Sequence, residues 1–341
     1  MGYRPFKQAL ADMRSHGFAK LEKGYSEWGT REGTVTRILF TPRLTHQLAA
    51  SGITVANRFH HFDYQRAMED IPPIQLRATT AKEWPRVFRG RKMRVDYACP
   101  TVTAHADQIR SINAYLGKQS VIDHEGVTLD IALRRIFNLG DQSGHGYNKG
   151  GRAYESYQSI KRKYREHITI NGHRTIEVDI SACFLTLLHF LLGHPFCATV
   201  DPYAGPDLPR DIIKAWVNLT IGHSNYHKRW PKETISKLEE KGYVDVPKRY
   251  PMTAVRKACL PHFPIVSEWV ESSYSWADLF RAESQIMLDA TQRLAEVHNI
   301  PALPMHDALR VSVQDSSMTV DVIKDEFLKH TGIQAIVDNP N

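Results

Sequence analysis

The chain has 341 residues, of which 42% are apolar and 10% aromatic, and it carries a formal net charge of +7. This length and composition predict a globular protein of one large or two smaller domains. The longest apolar run, Phe184–Gly193, is too short to cross a bilayer, and no apolar secretory signal opens the sequence. Four cysteines without a CxxC pair favour reduced thiols over structural zinc. We therefore expect a cytoplasmic protein with no membrane partner.

The positive charge is concentrated in two clusters. The first comprises Arg86, Arg89, Arg91, Lys92 and Arg94. The second comprises Lys161, Arg162, Lys163 and Arg165, with Tyr157 and Tyr164 interleaved. Basic and aromatic residues together are typical of a groove that tracks a nucleic-acid backbone and stacks bases. The alternative is that both clusters are solvated surface faces.

In the first part of the chain, residues 106–116 have the apolar spacing of a short amphipathic helix, and 129–137 predict another. Residues 138–151 are rich in Gly, Asn and Asp, which predicts a loop and a domain boundary. We accordingly divide the chain into residues 1–140, a basic, mixed and mainly helical region with a DNA-gripping or thumb-like role, and 141–341.

The second part predicts an α+β fold. Residues 167–170 and 175–180 form a β-hairpin around the turn Asn171-Gly172. Ser181 is a candidate N-cap for a helix over 182–192, which Gly193 would end. Further elements follow along the chain: helices over 208–220 and 272–297, strands over 302–305 and 309–313, and a helix over 320–331.

Asp179 stands near the end of a predicted strand, and alternation places it with Glu177 on the face opposite Ile176, Val178 and Ile180. Asp307 stands at the tip of an apolar hairpin, after His306. Either residue alone is typical of an ordinary turn or helix start. Together, two carboxylates on adjacent strands predict a site for two Mg²⁺ ions, with Mn²⁺ as a substitute, and phosphoryl-transfer chemistry.

These segments resemble a known family. The stretch "GGRAYESYQSI", followed by "RTIEVDIS" and an apolar helix, is similar to the approach to motif A and motif A itself of family-A, DNA polymerase I-like DNA polymerases. "IPALPMHDALRV" is similar to their motif C. The resemblance covers residues 150–335 and points to a compact phage or mobile-element subgroup. It implies a polymerase palm with a reduced fingers insertion around 200–265, and no proofreading.

The resemblance also implies roles for individual residues. Asp179, Asp307 and the main-chain carbonyl of Ile180 would hold metal. The nucleotide-binding residues would be Arg210 and Lys214, four apart on one helix face, with Ser181 and Phe184, the last placed to exclude a ribose 2′-hydroxyl. The nucleic-acid-binding residues would be Arg152, Gln158, Glu283 and His306. The acidic residue that usually follows the His-Asp of motif C is Ala308 here.

The resemblance implies a template-directed DNA polymerase that takes dNTPs and a primer–template, with RNA polymerase or primase activity also open. Two alternatives remain. A two-metal nuclease would also need clustered acidic residues, although usually more than two. A non-catalytic nucleic-acid-binding protein on a palm scaffold would not need Asp179.

Overall fold

The computed structural model describes residues 3–26, 33–34, 36–54, 57, 61, 71–83, 86–88, 90–197 and 199–338. The chain divides into two compact units, 1–66 and 67–341. The fold is α+β, and most of its strand pairs are antiparallel. None of the described helices is both long enough and apolar enough to span a lipid bilayer.

The first unit contains helices and short antiparallel strand pairs. Its described elements are α1 (Tyr3–Ser15), β1 (Ala19–Glu22), β2 (Tyr25–Ser26), β3 (Gly33–Thr34), β4 (Arg37–Phe40) and α2 (Pro42–Ala50). Strand β1 pairs with β4, and β2 pairs with β3.

The second unit begins with a small mixed sheet and a long helix. Its elements are β5 (Ile74–Arg77), β6 (Ala81–Glu83), β7 (Arg86–Phe88), β8 (Lys92–Met93), α3 (Pro100–Leu116), β9 (Val121–Ile122), β10 (Arg134–Phe137) and β11 (Gly150–Tyr154). The sheet order is β11-β10-β5-β8. The loop predicted as a domain boundary connects the paired strands β10 and β11 inside this unit. A functional division at residue 140 stays a prediction.

The rest of the second unit contains the sheet that carries both candidate aspartates. Its strands are β12 (Thr169–Ile170), β13 (His173–Ser181), β14 (Leu303–Pro304), β15 (Ala308–Ser312) and β16 (Ile336–Asp338). Its helices are α4 (Arg162–Arg165), α5 (Cys183–Leu192), α6 (Arg210–His223), α7 (Lys232–Glu239), α8 (Val246–Arg249), α9 (Met252–Cys259), α10 (Pro264–Glu271), α11 (Trp276–His298) and α12 (Ser316–Thr331). The sheet order is β14-β15-β13-β12-β9, and β16 pairs with the last residues of β13.

Strand β13 lies on the main hydrophobic core, as its alternation predicts. Val178 and Ile180 are buried, whereas Asp179 is exposed. The hairpin with β12 is confirmed, and both turn residues, Asn171 and Gly172, have the positive φ that a type I′ turn requires. The core is filled by large side chains from the helices around the sheet, among them Trp216, Trp269, Leu294 and Phe327.

Helix α11 is the longest described helix; the predicted helix is confirmed, but it begins at Trp276, four residues after the predicted start. Ser275 and Asp278 form a capping box. The Ser275 side chain accepts from the backbone of the first turn, and the Asp278 side chain accepts from the Ser275 N–H. Its inner face packs on β11, β14 and α12, so it joins the small mixed sheet to the main sheet.

Three sequence predictions are corrected. Residues 129–137 are not a helix, because β10 is held between β5 and β11 and sheet pairing overrides the local pattern. Ser181 is not the N-cap: β13 runs through it, and Ala182 takes the N-cap position in the left-handed region. Tyr157 cannot stack on bases, because it is fully buried and its hydroxyl donates to the Pro304 carbonyl at 2.7 Å.

The basic clusters are only partly available to a ligand. Arg91, Lys92 and Arg94 are not buried, and the side chains of Arg86 and Arg89 lie outside the described part of the chain. In the second cluster, Lys161, Arg162 and Lys163 are exposed, whereas Arg165 turns inward to Glu177. The four cysteines are free, as predicted.

Glu177 is held by two arginines on the same face of β13 as Asp179. Its Oε1 accepts from Arg310 Nη2 at 2.6 Å and from Arg165 Nε at 3.0 Å. Burial alone would raise the pKa of Glu177, but the hydrogen bonds and charges of Arg310 and Arg165 hold that pKa below its usual value. Arg310 is almost fully buried, so it depends on this carboxylate.

We expect Glu177→Ala to lower the free energy of unfolding by about 3 kcal/mol, because it leaves the buried Arg310 charge without its partner. Urea denaturation measures the change. Glu233→Ala is the matched control: Glu233 pairs with Lys237 at the surface, and its loss should change stability by less than about 0.5 kcal/mol. Equal losses in the two variants would contradict the interpretation.

Candidate active site

The pairing of β13 with β15 places Asp179 beside Asp307. Asp179 lies opposite Ala308 in the antiparallel register, and Asp307 is the preceding residue. The Ile180 N–H donates to the Asp307 carbonyl at 3.1 Å. Because N–H and C=O of one strand residue point to the same side, the Ile180 carbonyl also faces Asp307. The sheet therefore brings the three predicted metal ligands together.

A tight hairpin turn presents Asp307. Met305 and Ala308 exchange backbone hydrogen bonds of 2.8 and 3.4 Å, so the turn that these bonds close consists of His306 and Asp307. His306 has a φ of +67°, in the left-handed region that is uncommon for residues other than glycine. This turn places the Asp307 carboxylate at the end of the strand pair, where it remains partly accessible.

Asp338 is a third carboxylate at this edge, and the sequence did not indicate it. Strand β16 pairs with β13 so that Asp338 lies directly opposite Asp179. Opposite residues on antiparallel strands point to the same face, with their Cβ atoms about 5 Å apart. A further carboxylate is thus present opposite Asp179 on a short strand that no local sequence pattern marks.

The carboxylates of the site repel one another. Desolvation by the surrounding protein, together with the charges of Asp307 and Asp338, raises the pKa of Asp179 to about 7, although solvent still reaches its side chain. Burial also raises the pKa of Asp307. The charge of Lys214 opposes both shifts. The site thus has an excess of negative charge that a cation would neutralise.

Two glycines place Arg152 next to this edge. Gly150 and Gly151 have φ values of +74° and +92°, and a Cβ on Gly150 would lie 2.2 Å from Asn138 Oδ1. Such backbone is favourable only for glycine. It seats β11 against α11, where Arg152 Nε donates to Glu283 Oε2 at 3.0 Å, and Nη2 donates to the same oxygen. The two glycines of the "GGR" motif are therefore needed for the backbone conformation that places Arg152 beside Glu283.

Glu283 lies beneath the surface rather than on it. Its side chain is fully buried, so in this structure its carboxylate contacts Arg152 and cannot reach a bound nucleic acid. Burial raises the pKa of Glu283 to about 7 against the opposing effect of Arg152. We therefore infer that Glu283 orients the Arg152 side chain. The resemblance implies a direct contact between Glu283 and nucleic acid, and this structure does not allow that contact.

Phe184 belongs to an aromatic stack beside Arg152. Its ring stacks on Phe280 with centroids 5.7 Å apart, and the Arg152 guanidinium lies 3.5 Å from the Phe280 centroid and 5.5 Å from that of Phe184. Phe184 is half-buried, so one part of the ring packs and another remains accessible. His306 packs edge-on against Tyr154 at 5.7 Å, and burial with the Arg152 charge lowers its pKa to about 4.

Gln158 supports the hairpin instead of extending to a ligand. Its Nε2 donates to the Pro304 carbonyl at 2.8 Å and to the Ala153 carbonyl at 3.1 Å, which uses both of its protons. A template contact through Nε2 would require these bonds to break, and the Oε1 atom is buried.

Arg210 and Lys214 lie on one side of α6, as their spacing predicts. Both approach the buried ring of Tyr203, at 5.3 Å for the Arg210 guanidinium and 5.6 Å for the Lys214 ammonium. The charge of Lys214 lowers the pKa of both Asp179 and Asp307, so Lys214 acts electrostatically on the two carboxylates. Arg210 pairs with Asp201 instead. Ser181, the last residue of β13, is half-buried next to Asp179.

The donor set suits a hard divalent cation. Carboxylate and carbonyl oxygens are the ligands that Mg²⁺ prefers, and Asp179, Asp307 and Ile180 supply them where negative charge is in excess. Elsewhere in the described chain, Asp289, Glu326 and His330 bring three ligand atoms within 4.8 Å of one another. These side chains already have partners: His330 contacts Asp289 at 2.7 Å, and Glu326 pairs with Lys329 and Arg293.

No protein-family model matches this chain, and no curated protein does. The case for function therefore depends on the geometry of the edge formed by β13, β15 and β16.

The raised pKa of Asp179 makes stability depend on pH. A carboxyl that binds its proton more tightly in the folded state stabilises the protein at low pH, and this stabilisation is lost as pH rises through about 7. Between pH 5 and pH 8 in EDTA, we expect wild type to lose about 1 kcal/mol relative to Asp179→Asn, a value discounted for solvent screening.

Urea denaturation of both proteins across this pH range measures the difference. Asp338→Asn removes one source of the repulsion, so the pH dependence should be smaller in that background. Parallel stability curves for wild type and Asp179→Asn would show that the carboxylates do not repel one another.

Proposed function

We propose that this protein is a metal-dependent nucleotidyl transferase with a polymerase-type palm, which adds dNTPs to a primer 3′-hydroxyl on a template, without proofreading, in the cytoplasm. The observation that carries the proposal is the placement of Asp179 and Asp307 on paired strands with Lys214 acting on both. Phosphoryl transfer asks a protein mainly for positioning and charge neutralisation, and this edge offers both signs of charge.

Asp179, Asp307 and the Ile180 carbonyl would hold the divalent metal, with Asp338 in reach of Asp179. Bound there, Mg²⁺ supplies activation of the 3′-hydroxyl and neutralisation of the leaving pyrophosphate. The short strand pair and the two-residue loop fix the carboxylates before any ligand arrives, which limits the reorganisation that the reaction requires.

The remaining residues of the site fall into two groups with separate tasks. Lys214 and Arg210, on one side of α6, would bind the triphosphate, because cations at this spacing neutralise adjacent phosphates. Arg152 and His306, which line the same small pocket, would hold the primer end. Arg152 is oriented for this by Glu283 and by its stack on Phe280.

Lys214 favours transfer over hydrolysis of a phosphodiester. A nuclease active site needs carboxylates and a water-activating metal but no cation dedicated to a triphosphate. Lys214 makes no ion pair with any described residue, so its charge remains available to a polyanionic substrate next to the carboxylates.

We expect Asp179→Asn and Asp307→Asn each to lower primer extension by about a thousandfold, because each removes a charge that the transfer step requires. The assay is extension of a labelled primer on DNA and on RNA templates with Mg²⁺ and dNTPs. Both variants keep the shape of the side chain, so the midpoint of thermal unfolding should change by no more than about 4 °C.

Asp245→Asn is the matched control, since it removes the same charge from an exposed position before α8, and asparagine tolerates its left-handed backbone. It should extend primers at the wild-type rate. Extension that survives both active-site substitutions would sink the proposal.

Phe184 should set the preference for deoxynucleotides. We expect Phe184→Ala to raise ribonucleotide incorporation relative to deoxynucleotide incorporation by about tenfold, because the accessible part of the ring no longer occupies the space of a 2′-hydroxyl. The ratio of kcat/KM values for the two nucleotide sets measures the effect.

Phe280→Ala provides the control, because it removes the stacking partner of Phe184 and disturbs the same packing. If Phe184 only packs, both variants should lose stability by about 3 kcal/mol and leave the ratio unchanged. A ratio altered equally by both would also count against a specific role for Phe184.

A further inference from the structure

Asp201 and Arg210 form a bidentate ion pair at the start of α6. Arg210 Nε donates to Asp201 Oδ2 at 2.7 Å, and Nη2 donates to Oδ1 at 2.8 Å. Both side chains are about half exposed, at 52% for Arg210 and 41% for Asp201. Side-on pairing of this kind fixes the plane of the guanidinium as well as its position.

The backbone holds Asp201 independently of Arg210. Its Oδ1 also accepts from the Tyr203 N–H at 3.1 Å, and its carbonyl accepts from the Ala204 N–H at 2.9 Å. The carboxylate is therefore part of a tight turn, whereas Arg210 is a long side chain in the first turn of a helix. In this pair Asp201 is the fixed partner and Arg210 is the one that is positioned.

The ring of Tyr203 completes the support. It is buried, its hydroxyl donates to Asn218 at 3.3 Å, and it lies beside both Arg210 and Lys214. Attraction between a cation and an aromatic ring favours both side chains at this place. Asp201 and Tyr203 thus hold two positive groups on one side of α6.

The pairing with Asp201 leaves three of the five guanidinium protons of Arg210 free. Nε and one proton of Nη2 are used, so both protons of Nη1 and the second proton of Nη2 remain. Within the described part of the chain, no other residue accepts from them. The end of the guanidinium therefore still presents a two-nitrogen edge, the arrangement that binds phosphate oxygens in pairs.

We propose that Asp201 is a positioning residue, which holds the Arg210 guanidinium so that its free edge, together with Lys214, binds the polyphosphate chain of the incoming nucleotide. This rests on the proposed function. Asp201 would orient Arg210 without contacting the nucleotide. The opposing interpretation is that Asp201 competes with the polyphosphate for Arg210, which predicts effects of the opposite sign.

Asp201→Asn separates the two interpretations. The amide oxygen still accepts from the Tyr203 N–H, so the turn is preserved, while the charged bidentate pair is lost. We expect the KM for dNTP to rise about fivefold with kcat within about twofold, because the loss affects binding of the polyphosphate rather than the chemical step. Binding of inorganic tripolyphosphate to the full chain, measured by calorimetry without primer, should weaken by the same factor.

Two controls test whether the effect passes through Arg210. In an Arg210→Ala background, Asp201→Asn should have no further effect on KM or on tripolyphosphate binding. Asp211→Asn removes the same charge from the residue after Arg210, where the carboxylate pairs with Lys241. It should leave the KM for dNTP and tripolyphosphate binding unchanged. The contrast between the two asparagine variants excludes a general effect of net charge.

The outcomes are distinct. A lower KM for dNTP and tighter tripolyphosphate binding in Asp201→Asn would mean that Asp201 competes with the polyphosphate, and this would overturn the proposal. An unchanged KM with unchanged tripolyphosphate binding would also overturn it. So would a wild-type chain that binds no tripolyphosphate. If wild type extends no primer but binds tripolyphosphate more tightly than Asp201→Asn does, the polymerase function fails while the positioning role stands. If extension proceeds and Asp201→Asn matches wild type, only the positioning role fails.

Discussion

Hydrogen bonding between β13 and β15 holds like charges together, and the candidate site depends on it. Asp179 and Asp307 would separate if side-chain electrostatics alone decided their positions, because the charge of Asp307 raises the cost of ionising Asp179. Five consecutive residue pairs from Thr175 to Asp179 fix the register against this repulsion. A slip of one residue would turn Asp179 into the core and Val178 to the solvent, so the buried face enforces the register as well.

Sharp backbone turns then limit where each carboxylate can go. Ala182, three residues after Asp179, has a φ of +53°, and His306, just before Asp307, has one of +67°. Left-handed backbone is costly for residues with a Cβ and persists only where the surroundings enforce it. Here a strand must turn abruptly into α5, and a hairpin must close in two residues. Both turns lie next to the carboxylates, so the backbone on either side of the site is held in a fixed conformation.

The sequence predicted local elements better than tertiary partners. The alternation of β13, the Asn171-Gly172 turn and the two strands around His306 could be read directly, because each depends on neighbouring residues. Residues 129–137 could not, because their strand exists through pairing with β5 and β11, which lie far away in sequence. Asp338 and the Arg152–Glu283 pair were missed for the same reason. Their meaning comes from a strand register and from a helix packed on β11, and neither leaves a pattern in a single sequence.

Most cations near the site already have an anionic partner. Arg310 and Arg165 share Glu177, Arg152 pairs with Glu283, and Arg210 pairs with Asp201. Each of these arginines is therefore fixed in direction, with its charge largely offset. Lys214 makes no ion pair with any described residue, and its charge lowers the pKa of both Asp179 and Asp307. The site thus combines oriented donors, which can specify the shape of a ligand, with one uncompensated charge, which can attract it.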